Sequence, residues 1–458
     1  MSKSSKISEA FDLVLASDPP NKRRSAIVVF KPPESNLITT DRAFRKIADR
    51  VKLFEQAKQE NRQVFNNVLQ GYMSGKPTQA LEARRGVRHR IVGNGILPLA
   101  TLDVNKDTLK VLAAQDRVVA VMPNQRVKLL TPDEPDNLLS KFEKDNESTW
   151  GIQELAVKEL WEQAETKGRG VKVAVLDTGV YGDHPALQGK VSDFTIIDST
   201  GQRLELLNQK TFDYHRHGTH ICGTIAGGET SDGVAIGVAP GVNLAVAQIH
   251  FGDRSFLSHI IDGIDWSIGV GADIINMSIG IQYYDEKIDN LFQLLVERGI
   301  APIVAIGNES HGSTSCPGNA GSVLGIGALE RKKTGGVDVA PYSGGSSIDT
   351  PGALLERIVK PDVVAPGSNV YSCVPPTSEA NDEEYRLMDG TSMAAPHVAG
   401  VMAILMASCP EKPVIEIFKA IRETARHPRG KKRRPDNRWG YGAIEPLAAL
   451  NVLQGMEG

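Results

Sequence analysis

Ser392, His217 and Asp177 are the residues of this chain whose types and settings suit nucleophilic chemistry. A hydroxyl is a weak nucleophile near neutral pH, so it needs a base within hydrogen-bond reach and a third group to orient that base. Ser392 lies in Gly390-Thr391-Ser392-Met393-Ala394-Ala395-Pro396-His397, where a loop gives way to an apolar run that reads as a helix. At a helix start the N–H groups lack intrahelical acceptors, and the positive end of the helix dipole favours a developing oxyanion. Pro396 is expected in the first turn, where a missing N–H is harmless. A serine in this setting also serves as a plain helix cap, and it is the rest of the chain that speaks for chemistry.

The other two groups sit where a parallel sheet would deliver them. Val171-Lys172-Val173-Ala174-Val175-Leu176 is a nearly unbroken apolar run, as expected of a strand buried on both faces, and it ends in Asp177-Thr178-Gly179. Open α/β sheets build their sites at the carboxyl ends of such strands. His217-Gly218-Thr219-His220 opens a small-residue segment predicted to be a helix packed closely on the sheet. A second buried-strand pattern, Ile300 to Gly307, is followed by Asn308, whose side-chain NH₂ would join the Ser392 N–H as an oxyanion donor. Competing chemistries lack their second halves. There is no second Asp-Thr-Gly to form a carboxylate dyad, since Asp349-Thr350-Pro351 lacks the glycine, and neither His-Glu-x-x-His nor Cys-x-x-Cys accompanies His217 and His220.

The order Asp, His, Ser together with the segments 177–179, 217–220, 305–309 and 390–397 resembles the subtilisin-like serine peptidases, from about Trp150 to about Leu453. That resemblance implies an α/β fold with a mainly parallel central sheet flanked by helices. It also implies an endopeptidase acting through an acyl-enzyme, with Asp177, His217, Ser392 and Asn308 as catalytic residues and His220 as a structural histidine. Substrate-binding residues implied in the same way are Asp253, Arg254 and Ser255 on one edge of the cleft, Ser278, Ile279 and Gly280 on the other, and Ser315 near the pocket floor. Small residues there suggest a roomy, mainly apolar pocket, with Glu309 at its rim. The family's usual calcium-binding aspartate is replaced by Ala186, which weakens a site for a hard cation, although Gly228 to Gly233 offers a loop nearby; no metal ligand and no cofactor are assigned.

The N-terminal third carries strand patterns at Ser25–Phe30, Ile91–Val104 and Val118–Met122, and helical patterns at Asp41 to about Gln70 and at Asp107–Ala114. This mixture without a βαβ repeat predicts a small α+β unit, and it resembles the inhibitory propeptide of the same family. The expected organisation is a tail over 1–22, a propeptide-like domain over 23–130, an acidic Pro-containing linker over 131–149 and the peptidase domain over 150–458. Val127 to Leu130 would lie in the active site, with cleavage near Leu130-Thr131, Leu130 in the primary pocket and Val127 in a more distant one. The alternative is a latent or regulatory binding module whose N-terminal domain never leaves the cleft.

The 458 residues, 41% hydrophobic with 44 glycines, suffice for a large α/β core with many tight turns. A net charge of −3 argues against nucleic acid or an anionic membrane as main partner, and the basic run Arg429 to Arg434 reads as a solvated loop. The expected partners are polypeptide substrates and the chain's own N-terminal domain. The polar opening Met1 to Ala10 lacks the apolar core of a signal peptide and the 398–407 run is too short to span a bilayer, so the expected location is the cytoplasm, with Cys222, Cys316, Cys373 and Cys409 as free thiols.

Overall fold

A computed structural model describes residues 6–16, 18–19, 21–31, 47–74, 87–135, 143, 145, 147–198, 200–204, 210–252, 255–349, 357–377 and 384–455. The first sheet is built from β1 (Arg24–Phe30), β2 (His89–Ile91), β3 (Leu99–Val104) and β4 (Val118–Pro123), in the order β2-β3-β1-β4 with every pair antiparallel. Alternation along a strand sends successive side chains to opposite faces. Ala26, Val28 and Phe30 therefore meet Phe65 and Val68 of the helix Ile47–Ser74 and Leu112 of the helix Lys106–Ala113. Ile27, with Leu99 and Met122, joins a different cluster on the far face. Two buried faces explain why β1 reads as an unbroken apolar run.

The predicted strand over Ile91–Val104 is divided by a turn into β2 and β3, whose pairing is antiparallel. The predicted start of the long helix, 41–46, lies outside the described residues, and the helix continues beyond Gln70 to Ser74. The Lys106–Ala113 helix begins on a capping box: Asn105 Oδ1 accepts the Thr108 N–H at 2.9 Å while Thr108 Oγ1 accepts the Asn105 N–H at 2.8 Å.

After β4 the chain forms β5 (Lys128–Leu129) and then enters the large sheet. Its strands are β6 (Lys172–Asp177), β7 (Val191–Ile197), β8 (Arg203–Leu204), β9 (Asn243–Gln248), β10 (Ile274–Met277), β12 (Ala301–Ala305), β13 (Leu324–Arg331), β14 (Val337–Val339) and β17 (Val363–Pro366). The two-residue β11 (Ile279–Gly280) pairs with β5, and β15 (Ser346–Asp349) with β16 (Arg357–Lys360) forms a separate hairpin. The sheet order is β14-β13-β12-β10-β6-β9-β7-β8, with β17 also on β13. Pairs within the centre are parallel, and only the edge pairs β13–β14 and β7–β8 are antiparallel. Helices His217–Ala226 and Thr391–Ser408 pack on each other and share one core cluster, while Leu257–Gly269 and Glu286–Glu297 share the other.

One element departs from its predicted character. The stretch Leu257 to Ile268 reads as an amphipathic helix, yet every residue in it is buried. Its second face is covered by the N-terminal sheet, through Ile27, Val92, Ile96, Leu97 and Met122. Its two carboxylates, three residues apart and so on one face, are consumed in that contact. Asp262 accepts Arg90 Nη2 at 2.7 Å and Nη1 at 3.2 Å and also the Gly93 N–H; Asp265 accepts the N–H groups of Asn94 at 2.6 Å and Leu97 at 2.9 Å. Burial still pushes the Asp265 carboxyl up to about 6 and raises that of Asp262, because loss of hydration disfavours the anion more than these donors restore.

Candidate active site

Asp177 stands at the carboxyl end of β6 and is fully buried. Its Oδ1 accepts the Thr178 N–H at 2.7 Å and lies 2.7 Å from His217 Nδ1. A carboxylate at that nitrogen selects the tautomer with the proton on Nδ1, leaving a lone pair on Nε2. Nε2 is buried and makes no hydrogen bond among the described residues. The imidazole is brought there by close backbone contact: a Cβ on Gly218 would sit 2.1 Å from the Gly179 carbonyl oxygen, and Gly179 itself has φ +114°. Thr178 Oγ1 ties the two motifs together by accepting the Gly218 N–H at 3.0 Å and donating to Asp213 at 2.7 Å.

His220 points away from this pair. Its Nε2 donates to the carbonyls of Val370 at 3.0 Å and Arg386 at 3.2 Å, and burial drives its pKa down to about 3, so it is a neutral structural residue. No group of three or more potential metal ligands occurs among the described residues. Ala186 is buried, and its carbonyl accepts the Gly228 N–H at 2.9 Å. Ala186 does not fit the calcium site the resemblance implies, because its methyl side chain supplies no anionic oxygen where the family has an aspartate.

Ser392 is the second residue of the helix Thr391–Ser408, so its N–H belongs to the turn that has no intrahelical acceptors. Pro396 is the sixth residue of that helix, inside it and past the first turn where it was expected. Its missing N–H releases the Ser392 carbonyl, and Ser278 Oγ donates to that oxygen at 3.5 Å. Asn308 follows β12 across the cleft. Its Oδ1 is held by the Thr391 N–H at 2.9 Å and Thr391 Oγ1 at 2.8 Å, while Thr391 Oγ1 accepts the Gly307 N–H at 3.2 Å. With its oxygen so occupied, the Asn308 amide presents Nδ2 to the cleft. Thr391 therefore orients Asn308, a role that sequence reasoning did not assign.

An extended piece of the chain runs through this site. Val127 donates its N–H to the Ser255 carbonyl at 3.0 Å, β5 pairs antiparallel with β11 in the register Leu129↔Ile279 and Lys128↔Gly280, and Leu130 donates to the Ser278 carbonyl at 3.1 Å. Ser392 Oγ donates to the Leu130 carbonyl at 2.9 Å, and Asn308 Nδ2 to the Thr131 carbonyl at 3.3 Å. Beyond it, Asp133 and Asp389 exchange backbone hydrogen bonds at 3.0 and 2.8 Å. Leu130 is buried in one core cluster and Val127 in the other.

Of the residues expected to bind substrate, Ser255, Ser278, Ile279 and Gly280 thus touch this segment through their backbones. Ser315 is buried against Gly280 and Gly307, where a Cβ on either glycine would fall 2.8 Å from its side chain. Asp253 and Arg254 lie outside the described residues. Glu309 is exposed. His250 was missed: its Nε2 accepts the Leu129 N–H at 3.1 Å. The available signal was its place two residues after β9, at the same carboxyl edge that carries Asp177 and Asn308. All four cysteines are buried and none forms a disulfide, and burial raises the Cys222 thiol well above its usual range, which disfavours the reactive thiolate.

The model of the subtilase family, Peptidase S8, matches residues 168–442. The chain is 31% identical over 270 residues to the major intracellular serine protease of Bacillus subtilis, covering 57% of this chain and 75% of that one. It is 32% identical over 315 residues to the serine protease AprX of Bacillus subtilis, covering 63% and 68%. Among solved structures it is similar to fervidolysin from Fervidobacterium pennivorans, described as a keratinolytic enzyme related to subtilisin. The TM-score is 0.66 at 24% identity, over 94% of this chain and 61% of that protein, a likeness of fold.

Proposed function

The chain belongs to the subtilase family and is a serine endopeptidase, and from that premise we propose that Ser392, His217, Asp177 and Asn308 carry its chemistry and that it is made as a self-inhibited precursor. Two observations support this reading: the Leu130 carbonyl is hydrogen-bonded by Ser392 Oγ at 2.9 Å, and the His217 imidazole is paired to Asp177 at 2.7 Å with its Nε2 left without a hydrogen bond among the described residues. In the reaction His217 Nε2 takes the Ser392 proton as Oγ bonds to the carbonyl carbon. The oxyanion is held by the Ser392 N–H and Asn308 Nδ2. The proton then passes to the leaving amine as the C–N bond breaks, and water, deprotonated by the same imidazole, hydrolyses the acyl-enzyme. Asp177 holds the tautomer and stabilises the imidazolium.

Residues 23–130 then form the inhibitory domain, 131–149 the linker and 150–458 the peptidase, with self-cleavage between Leu130 and Thr131. Two hydrogen bonds must change partners first: Ser392 Oγ from the Leu130 carbonyl to His217 Nε2, and Asn308 Nδ2 from the Thr131 carbonyl to that of Leu130. This supports a held, slowly processed precursor. Substrates are polypeptides gripped by their backbones, with a medium or large uncharged residue in the place of Leu130. No cofactor enters the reaction, and no calcium dependence through Ala186 is expected. We place the protein in the cytoplasm, a reading supported by relatives named intracellular serine proteases, from Bacillus subtilis and Paenibacillus polymyxa, and by four buried cysteines that form no disulfide.

A fluorophosphonate probe should label Ser392 and leave Ser392→Ala unlabelled, and N-terminal sequencing of the processed protein should begin at Thr131. Labelling at another residue, or a processed chain starting far from 125–150, would refute the respective parts of the reading.

A further inference from the structure

Along the segment held in the cleft, successive N–H groups turn to opposite sides. Val127 and Leu130 find backbone acceptors in Ser255 and Ser278. The Leu129 N–H instead meets a side chain, His250 Nε2 at 3.1 Å. His250 is 6% exposed, and its own N–H donates to the Asp177 carbonyl at 3.2 Å, as does that of Ile249 at 2.9 Å. The ring is therefore mounted on the same strand end that carries Asp177, and its distance from the reacting centre is set by the same backbone. To accept at Nε2 the imidazole must be neutral with its proton on Nδ1.

Resting on the reading that Leu130 occupies the place of the residue whose carbonyl is attacked, we propose that His250 is a substrate-positioning residue that recognises the backbone N–H of the residue just before it. The substrate class this selects is peptides with a secondary amide at that position, and proline there is disfavoured. A proline brings no N–H and puts a ring carbon where His250 Nε2 now receives a donor, so that hydrogen bond is lost and the acceptor faces carbon at close range. The discrimination is independent of side-chain identity, since what is recognised is the peptide bond.

The test uses two synthetic peptides of one sequence, cleaved after leucine and differing only in an ester oxygen replacing the N–H of the preceding residue. With the purified enzyme, cleavage at the leucine bond, followed by mass, should favour the amide by about tenfold in kcat/KM. His250→Leu should bring the ratio close to one, and His250→Gln, whose side-chain carbonyl can accept, should restore part of it. A wild-type ratio near one overturns the proposal, as does a ratio that His250→Leu leaves unchanged. The wild-type ratio stands as a test even if a variant does not fold. Failure to cleave either peptide would instead count against the peptidase reading itself.

Discussion

The N-terminal domain meets the rest of the molecule through two surfaces of opposite chemistry. In the cleft, residues 127–133 are gripped by their own backbone groups, through main-chain groups of Ser255, Ser278, Ile279, Gly280 and Asp389 and the side chains of His250, Asn308 and Ser392. On the Leu257–Gly269 helix, the contact is made by side chains: Arg90 on Asp262, loop N–H groups on Asp262 and Asp265, and a shared apolar cluster. A grip on backbone suits any extended peptide, so the cleft can hold substrate and inhibitor alike. A grip on two buried carboxylates suits one partner of fixed shape. On the proposed reading catalysis and latency rest on different residues and should be separable by mutation.

The strongest way to break that comparison is at the cleft. Ser392→Ala should lower kcat by on the order of 10⁶-fold, as loss of the nucleophile does in subtilisin, and should leave the chain unprocessed on a denaturing gel while the N-terminal domain stays docked. Asn308→Ala should lower kcat by about 10²- to 10³-fold, the loss seen when subtilisin loses its asparagine donor, with little change in KM. Stopped or steady-state assays on one short peptide distinguish these from a binding defect.

The helix face should respond in the other coordinate. Asp262→Ala strands Arg90 and the Gly93 N–H, and should weaken retention of the N-terminal domain by about 10- to 100-fold. The kcat/KM of the liberated enzyme for short peptides should move by less than about twofold. Size-exclusion of processed protein and peptide kinetics read the two quantities separately; a large change in kcat/KM would show that the two surfaces are not independent. The smallest effect is in pH. Burial raises the Asp265 carboxyl from 3.8, its value in water, to about 6 in the docked molecule, so where release of the N-terminal domain returns it to water the docked state holds more protons between those values. Retention should therefore be strongest in acid, weaken by up to about a hundredfold as pH rises from about 4 to about 6, and stay level above it. Retention that strengthens with pH over that range would contradict the burial of Asp265 as its cause.

Much of the site was legible because parallel sheets place strand ends in a common plane. A buried apolar run ending in Asp177, a second ending before Asn308, and a helix opening at Ser392 are local patterns with a shared geometric destination. Ser255, Ser278, Ile279 and Gly280 were expected as cleft walls from the resemblance to the family and not from this geometry. Pro396 was misplaced by half a turn or more because helix starts are weakly specified by residue type, and the capping that fixes this one comes from Asn308, a residue 83 positions away. The Leu257–Gly269 helix looked amphipathic because its polar face is polar; nothing local announces that a second domain will bury it.

His250 shows the limit most clearly. A histidine after a strand has many ordinary uses, and it becomes a recognition element only because β5, more than a hundred residues earlier, lies alongside it. The motifs and their order pointed to the family, and the apolar runs to a parallel sheet with Asp177 and Asn308 at its carboxyl edge, since each of these depends on neighbours within a few positions. The rest was decided by packing: which N–H faces which acceptor, which carbonyl Ser392 touches, and which carboxylates lose their water. Those are properties of surfaces brought together from distant parts of the chain, where distances of a few tenths of an ångström and the exclusion of solvent set the energies.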